Sequence, residues 1–124
     1  MGDEPDEAPI PVGRFEWEAC LRRADLAPLT KLLAYTVAQY ATTKSGANAH
    51  PGVSRLARVC RVDEKTVKRH LTVLRETGFL LRAQEDHWRR RVALGIADTY
   101  QLTVPRDFTE RSTYLDPDER ARDC

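Results

Sequence analysis

The sequence predicts a mainly α chain that carries a small β-hairpin, and three observations lead there. Apolar residues recur at helical spacing through two N-terminal segments. Farther on, two more helical stripes are separated by only Arg61-Val62-Asp63, room for nothing but a tight turn. After them, one segment alternates between apolar and polar residues, the period of a strand. At 124 residues the chain has room for one domain with tails.

Residues 1–14 combine acid and proline with few large apolar groups. Such a stretch buries too little to offset its ordering entropy, so a disordered acidic tail is expected there. A domain is expected over residues 15–105, and a second tail over residues 106–124. Within Phe15–Ala24, the residues Trp17, Cys20, Leu21 and Ala24 fall at helical spacing and predict a short amphipathic helix. Asp25-Leu26-Ala27-Pro28 breaks it, and Pro28 suits the first turn of the next helix, where its missing N–H costs nothing. Leu29, Leu32, Leu33, Thr36, Val37, Tyr40 and Ala41 form a stripe through about four turns. The helix is expected to end near Lys44-Ser45-Gly46, where a cation and a left-handed glycine suit a C-terminus.

Asn48-Ala49-His50-Pro51 is expected to be extended, because a residue before proline avoids the α region, and it offers a short strand. Val53, Leu56, Ala57 and Cys60 then stand at i, i+3, i+4 and i+7, and Val67, Leu71 and Leu74 form the next stripe. Asp63 is placed to cap the second of these helices by accepting from the amide of Lys65 or Thr66. Ala57 is small where the two helices cross, and Thr77-Gly78 closes the second one. Phe79–Ala83 reads as a strand, and Tyr100, Leu102 and Val104 alternate with Thr99, Gln101 and Thr103 until Pro105 ends the pattern. The polar, basic stretch between them makes the pair a hairpin. Residues 106–124 have no sustained stripe and read as a tail, or as a short helix docked on the body or on a second subunit.

Charge is nearly balanced overall but unevenly placed. Residues 51–106 carry a net +6, while residues 1–14 and 107–124 each carry −3. A basic middle suits a polyanion. Cys20, Cys60 and Cys124 are odd in number and lack CxxC spacing, which argues for a reducing cytoplasm without a disulfide framework or zinc site. His50, His70 and His87 are too scattered for a metal site, and no run reaches the ~20 apolar residues of a membrane span. The N-terminus lacks the apolar region of a secretory signal. No Gly-rich phosphate loop, paired-carboxylate motif or nucleophile–base spacing occurs, so neither an enzyme nor a cofactor is expected.

Leu56-Ala57, Val62, Thr66-Val67, Arg69, Leu71, Leu74 and Gly78-Phe79-Leu80 together resemble a helix-turn-helix. With the preceding helix, the His50-Pro51-Gly52 step and the hairpin, the resemblance extends from about Leu29 to Val104. It is similar to the winged helix-turn-helix modules of bacterial transcription regulators and of plasmid or phage replication proteins. Two positions depart from the pattern. The turn position that usually holds Gly is Arg61, where a positive φ costs roughly 1 kcal/mol, so a turn of different shape is expected. Gly52 replaces a capping Ser, so either Ser54 takes that role less well or the helix start frays.

The resemblance implies a second helix lying in the DNA major groove. Glu64, Lys65, Lys68, Arg69 and Thr72 face away from its apolar stripe and are the candidate base readers: Arg and Lys donate to guanine, and Glu accepts from cytosine. The alternative is a solvated polar face. Thr66 either contacts phosphate or caps the helix. Arg55, Arg58 and Arg61 are candidate backbone contacts or ordinary surface charge. His70 is expected to be partly buried. In the stretch Glu85–Ala97, Arg89, Arg90 and Arg91 form a cationic wing for phosphates or a minor groove, and Trp88 either packs beneath it or stacks on a base.

Trp17 and Cys20-Leu21 either pack on the domain's own core or form the seam of a homodimer. The function implied is sequence-specific binding of double-stranded DNA in transcriptional regulation, in the cytoplasm at the nucleoid. An accessory or initiator role in plasmid or phage replication or transfer is the alternative within DNA binding. A winged-helix protein-interaction module is the alternative of another class.

Overall fold

The computed structural model describes residues 8–82 and 98–108. In order along the chain it contains β1 (Ile10–Pro11), α1 (Arg14–Arg22), α2 (Pro28–Ala38), α3 (Val53–Cys60), α4 (Glu64–Glu76), β2 (Leu80–Arg82) and β3 (Tyr100–Val104). The strands form one antiparallel sheet in the order β1-β3-β2, with Ile10 opposite Val104 and Leu80 opposite Leu102. Four helices with so small a sheet make the described chain mainly α, an architecture consistent with a winged helix-turn-helix.

Trp17 and Leu21 from α1, Leu33 and Val37 from α2, Leu56 from α3, Val67 and Leu74 from α4, Phe79, and Leu102 from β3 make one buried core. The Trp17 indole N–H donates to the Phe79 carbonyl at 3.0 Å, tying α1 to the start of β2. The apolar face of α1 is thereby enclosed within its own chain. Of the two places open to Trp17 and Cys20-Leu21, Trp17 and Leu21 take the domain's own core, covered by the sheet and α2, while Cys20 is half-buried.

Pro28 occupies the first turn of α2, where a missing N–H leaves no carbonyl unpaired. The helix is shorter than its stripe suggested and ends at Ala38. Its buried residues are Thr30, Leu33, Ala34, Thr36, Val37 and Ala38, while Leu32 is 48 % exposed. The inward face is thus rotated toward the small residues Ala34 and Ala38, because α1, α3 and α4 all pack on this helix. Gly46 is not its cap. It sits with φ 71° in the following turn, where any Cβ would come 2.1 Å from the Val12 carbonyl oxygen, and its own carbonyl accepts from Leu102 N–H at 2.8 Å.

The acidic tail expected over residues 1–14 does not extend that far. Ile10–Pro11 pairs with β3, and Val12 N–H donates to the Leu102 carbonyl at 3.1 Å. β3 offers an unpaired edge, and proline is tolerated on an edge strand because its missing N–H disrupts no further ladder. The short strand expected at residues 48–51 is a single bridge, in which Ala49 and Tyr100 exchange both hydrogen bonds, at 2.7 and 3.1 Å. The body also continues past Pro105. Phe108 is buried and meets Phe79 edge to face with ring centroids 6.1 Å apart. The remainder of the tails expected over residues 1–14 and 106–124, namely residues 1–7 and 109–124, lies outside the described residues.

Candidate nucleic-acid interface

The turn between α3 and α4 keeps the shape that glycine normally supplies. Arg61 ends α3 in the left-handed region, at φ 62° and ψ 44°, and Val62 N–H closes the turn on the Ala57 carbonyl at 3.1 Å. The expected change of turn shape is therefore absent, and the packing of Leu56, Ala57, Val67 and Leu71 holds the arginine in its strained conformation. Gly52, before α3, has φ 83° and ψ 149°, a combination open essentially to glycine alone. Its value there is conformational. Ser54 does not cap α3, and its hydroxyl instead accepts from Arg58 Nη1 at 3.0 Å.

Asp63 caps α4, accepting from the Thr66 amide at 2.7 Å. Interaction with the Thr66 side chain and the hydrogen bond from its amide hold the Asp63 carboxyl below its ordinary pKa, with Arg69 adding a smaller pull. The side chain that caps the helix is thus that of Asp63, and Thr66 supplies the amide. At the other end, Thr77 and Gly78 stop the helix: Phe79 N–H reaches the Leu74 carbonyl at 2.9 Å, and Gly78 takes φ 91°.

With both ends fixed, the faces of α4 are set. Val67, Leu71 and Leu74 are buried, while Glu64, Lys65, Lys68 and Arg69 are exposed. The side chains of Lys65, Lys68 and Arg69 make no hydrogen bond or ion pair among the described residues, so their donors point to solvent. Glu64 stands in the first turn, where a carboxylate also complements the helix dipole. Thr72 is only half-exposed. Its hydroxyl donates to the Lys68 carbonyl at 3.0 Å and accepts from Arg75 Nη2 at 3.1 Å, which leaves it less available than the other four. His70 is partly buried as expected, with Nδ1 2.7 Å from the hydroxyl of Thr30 on α2.

Arg55, Arg58 and Arg61 on α3 and the turn are all exposed. Ser54, Arg58, Arg61, Asp63 and Glu64 line a shallow open depression there. From residue 53 to residue 72 six cations stand against two carboxylates, so the α3–α4 surface is strongly basic. The segment expected to form the wing, with Trp88 and Arg89, Arg90 and Arg91, lies outside the described residues. Its base is described: Arg82 sits opposite Tyr100 in the ladder, with Nε 3.4 Å from Asp98. Burial pushes the Tyr100 phenol up, and Asp98 adds to the effect; burial and Glu16 do the same to the Cys20 thiol. Neither group is moved toward ionisation.

Sequence reasoning placed Tyr40 in the apolar stripe of α2. Its ring instead lies beneath Arg55, with the guanidinium carbon 5.9 Å from the ring centroid. No spacing rule signals such a pair, because the two residues sit in different elements.

Residues 24–80 match the family model described as a helix-turn-helix domain. The match begins just after α1 and takes in α2, α3, the turn, α4 and the first residue of β2. No curated protein and no solved structure matched the chain. The geometry of α3, the turn and α4 agrees with that match: residues 24–80 fold as a helix-turn-helix domain.

Proposed function

We propose that this protein binds double-stranded DNA sequence-specifically and acts as a transcriptional regulator, with α4 in the major groove and the 85–97 segment on the adjacent backbone or minor groove. The observation that carries the reading is the exposed face of α4. Lys65, Lys68 and Arg69 project from a helix that is capped at both ends and anchored by Val67, Leu71 and Leu74. Long cations on a rigid helix suit base edges, since the helix supplies the register and the side chains supply the donors. Arg55, Arg58 and Arg61 flank that face and suit phosphates, which position a protein without reading sequence.

The test is selection of bound fragments from random and genomic DNA, followed by anisotropy titrations of the selected duplex across a salt series. A short motif bound with an affinity that falls linearly with log salt supports the reading. A palindromic motif adds a symmetric dimer to it, built from surfaces other than the α1 core face. Direct repeats clustered near a replication origin favour a replication role over regulation. Failure to enrich any duplex points to the basic face serving an acidic protein partner.

A further inference from the structure

Arg55 differs from the other cations of the basic surface in being held by an aromatic ring. Tyr40 lies just beyond α2, its amide bonded to the Val37 carbonyl at 3.0 Å, and its ring is partly buried. Arg55 is on the first turn of α3 and is exposed. The two helices are locked together nearby, with the Thr36 hydroxyl 3.5 Å from Cys60 Sγ in the buried interface. The ring projects from the end of a helix packed against α3, and the guanidinium lies over it with its carbon 5.9 Å from the centroid. A guanidinium lying over a ring gives it no hydrogen bond, so it keeps the N–H groups that grip a phosphate in bidentate fashion. Arg58, by contrast, already gives one donor to Ser54.

We propose that Tyr40 is a positioning residue for DNA binding: it holds the Arg55 guanidinium in place so that its edge donates to a backbone phosphate. This rests on the DNA-binding reading above. Stacking limits the rotamers of a long side chain before DNA arrives, so less freedom is lost on contact. The charge that meets the phosphate still belongs to Arg55 alone, and this separates the two roles experimentally.

The full-length chain is titrated against a mixed-sequence DNA duplex across a salt series, with thermal melts to confirm folding. Arg55→Ala is expected to weaken binding and to flatten the salt slope by about 1 unit, one phosphate's worth. Tyr40→Leu is expected to weaken binding about two- to fivefold with the slope unchanged, since the charge remains. Arg55→Lys is expected to do likewise, because an ammonium lacks the planar stack. Tyr40→Phe keeps the ring face and should match the wild type. In the Arg55→Ala background, Tyr40→Leu should cost nothing further.

Three results overturn the proposal while leaving DNA binding intact. Tyr40→Leu could cost the same factor with and without Arg55, Tyr40→Phe could be as weak as Tyr40→Leu, or Arg55→Ala could leave the slope unchanged. Should Tyr40→Leu not fold, wild-type affinity in Arg55→Lys overturns the proposal by itself. A wild-type chain that binds no duplex, or binds one without salt dependence, overturns the functional reading and this inference together.

Discussion

Arg61 is held at φ 62° by the two helices it joins, and an L-residue with a side chain is strained there. Arg61→Gly removes that strain while giving the unfolded chain more freedom to lose. A net gain of roughly 0.5–1 kcal/mol is expected, read as a higher urea midpoint with unchanged slope. Asp63 is the second residue with a local consequence. Its folded pKa lies below the unfolded value because the side chain and amide of Thr66 favour the carboxylate. The stabilisation is therefore present above the unfolded pKa and is lost as pH falls through the folded one. Asp63→Ala should melt earlier than the wild type at neutral pH, and the gap should close under acid conditions. A gap that persists undiminished in acid would show that the cap does not depend on the carboxylate's charge.

At the scale of the element, α4 divides cleanly between a buried stripe and an exposed cationic face. Arg69→Ala or Lys68→Ala should weaken a cognate duplex by about 1–3 kcal/mol if the side chain makes a bidentate base contact. Circular dichroism should not change, since both residues point outward. Equal losses on cognate and random duplexes would place them on phosphate instead. α1 makes the opposite case. Its Trp17 is fully buried and donates to the Phe79 carbonyl. Trp17→Phe leaves that carbonyl to the Thr103 N–H alone, at 3.2 Å, and opens a gap beside it, and should cost about 1–3 kcal/mol in denaturant unfolding.

At the scale of the whole molecule, the two chain ends of the described body meet on one sheet. β1 and β2 flank β3, and the hairpin formed by β2 and β3 leaves from the same body that carries α4. If the segment between them reaches DNA beside α4, Arg89, Arg90 and Arg91 each neutralise a phosphate. Replacing all three by Ala should then flatten the salt slope by about 2–3 and weaken cognate and random duplexes alike. An unchanged slope in the folded variant would mean that the three arginines meet no phosphate.

The order of the helices, the cap at Asp63, the stop at Gly78 and the inward stripe of α4 were all legible in the sequence. Each depends on residues within a few positions of one another, so spacing alone determines them. The features that escaped depend on distant partners. Ile10–Pro11 becomes a strand only because β3 presents an edge to it, and Phe108 joins the core only because Phe79 offers its ring. Leu32 faces outward although it lies on the predicted stripe, because three neighbours approach α2 from the side of Ala34 and Ala38. Arg61 takes a glycine conformation because buried contacts on either side outweigh a local strain of roughly 1 kcal/mol. The placing of Arg55 over Tyr40 is of the same kind. Local pattern decided which surface of the helix pair is basic, and only the packing of α2 against α3 decided which of its arginines is held in place.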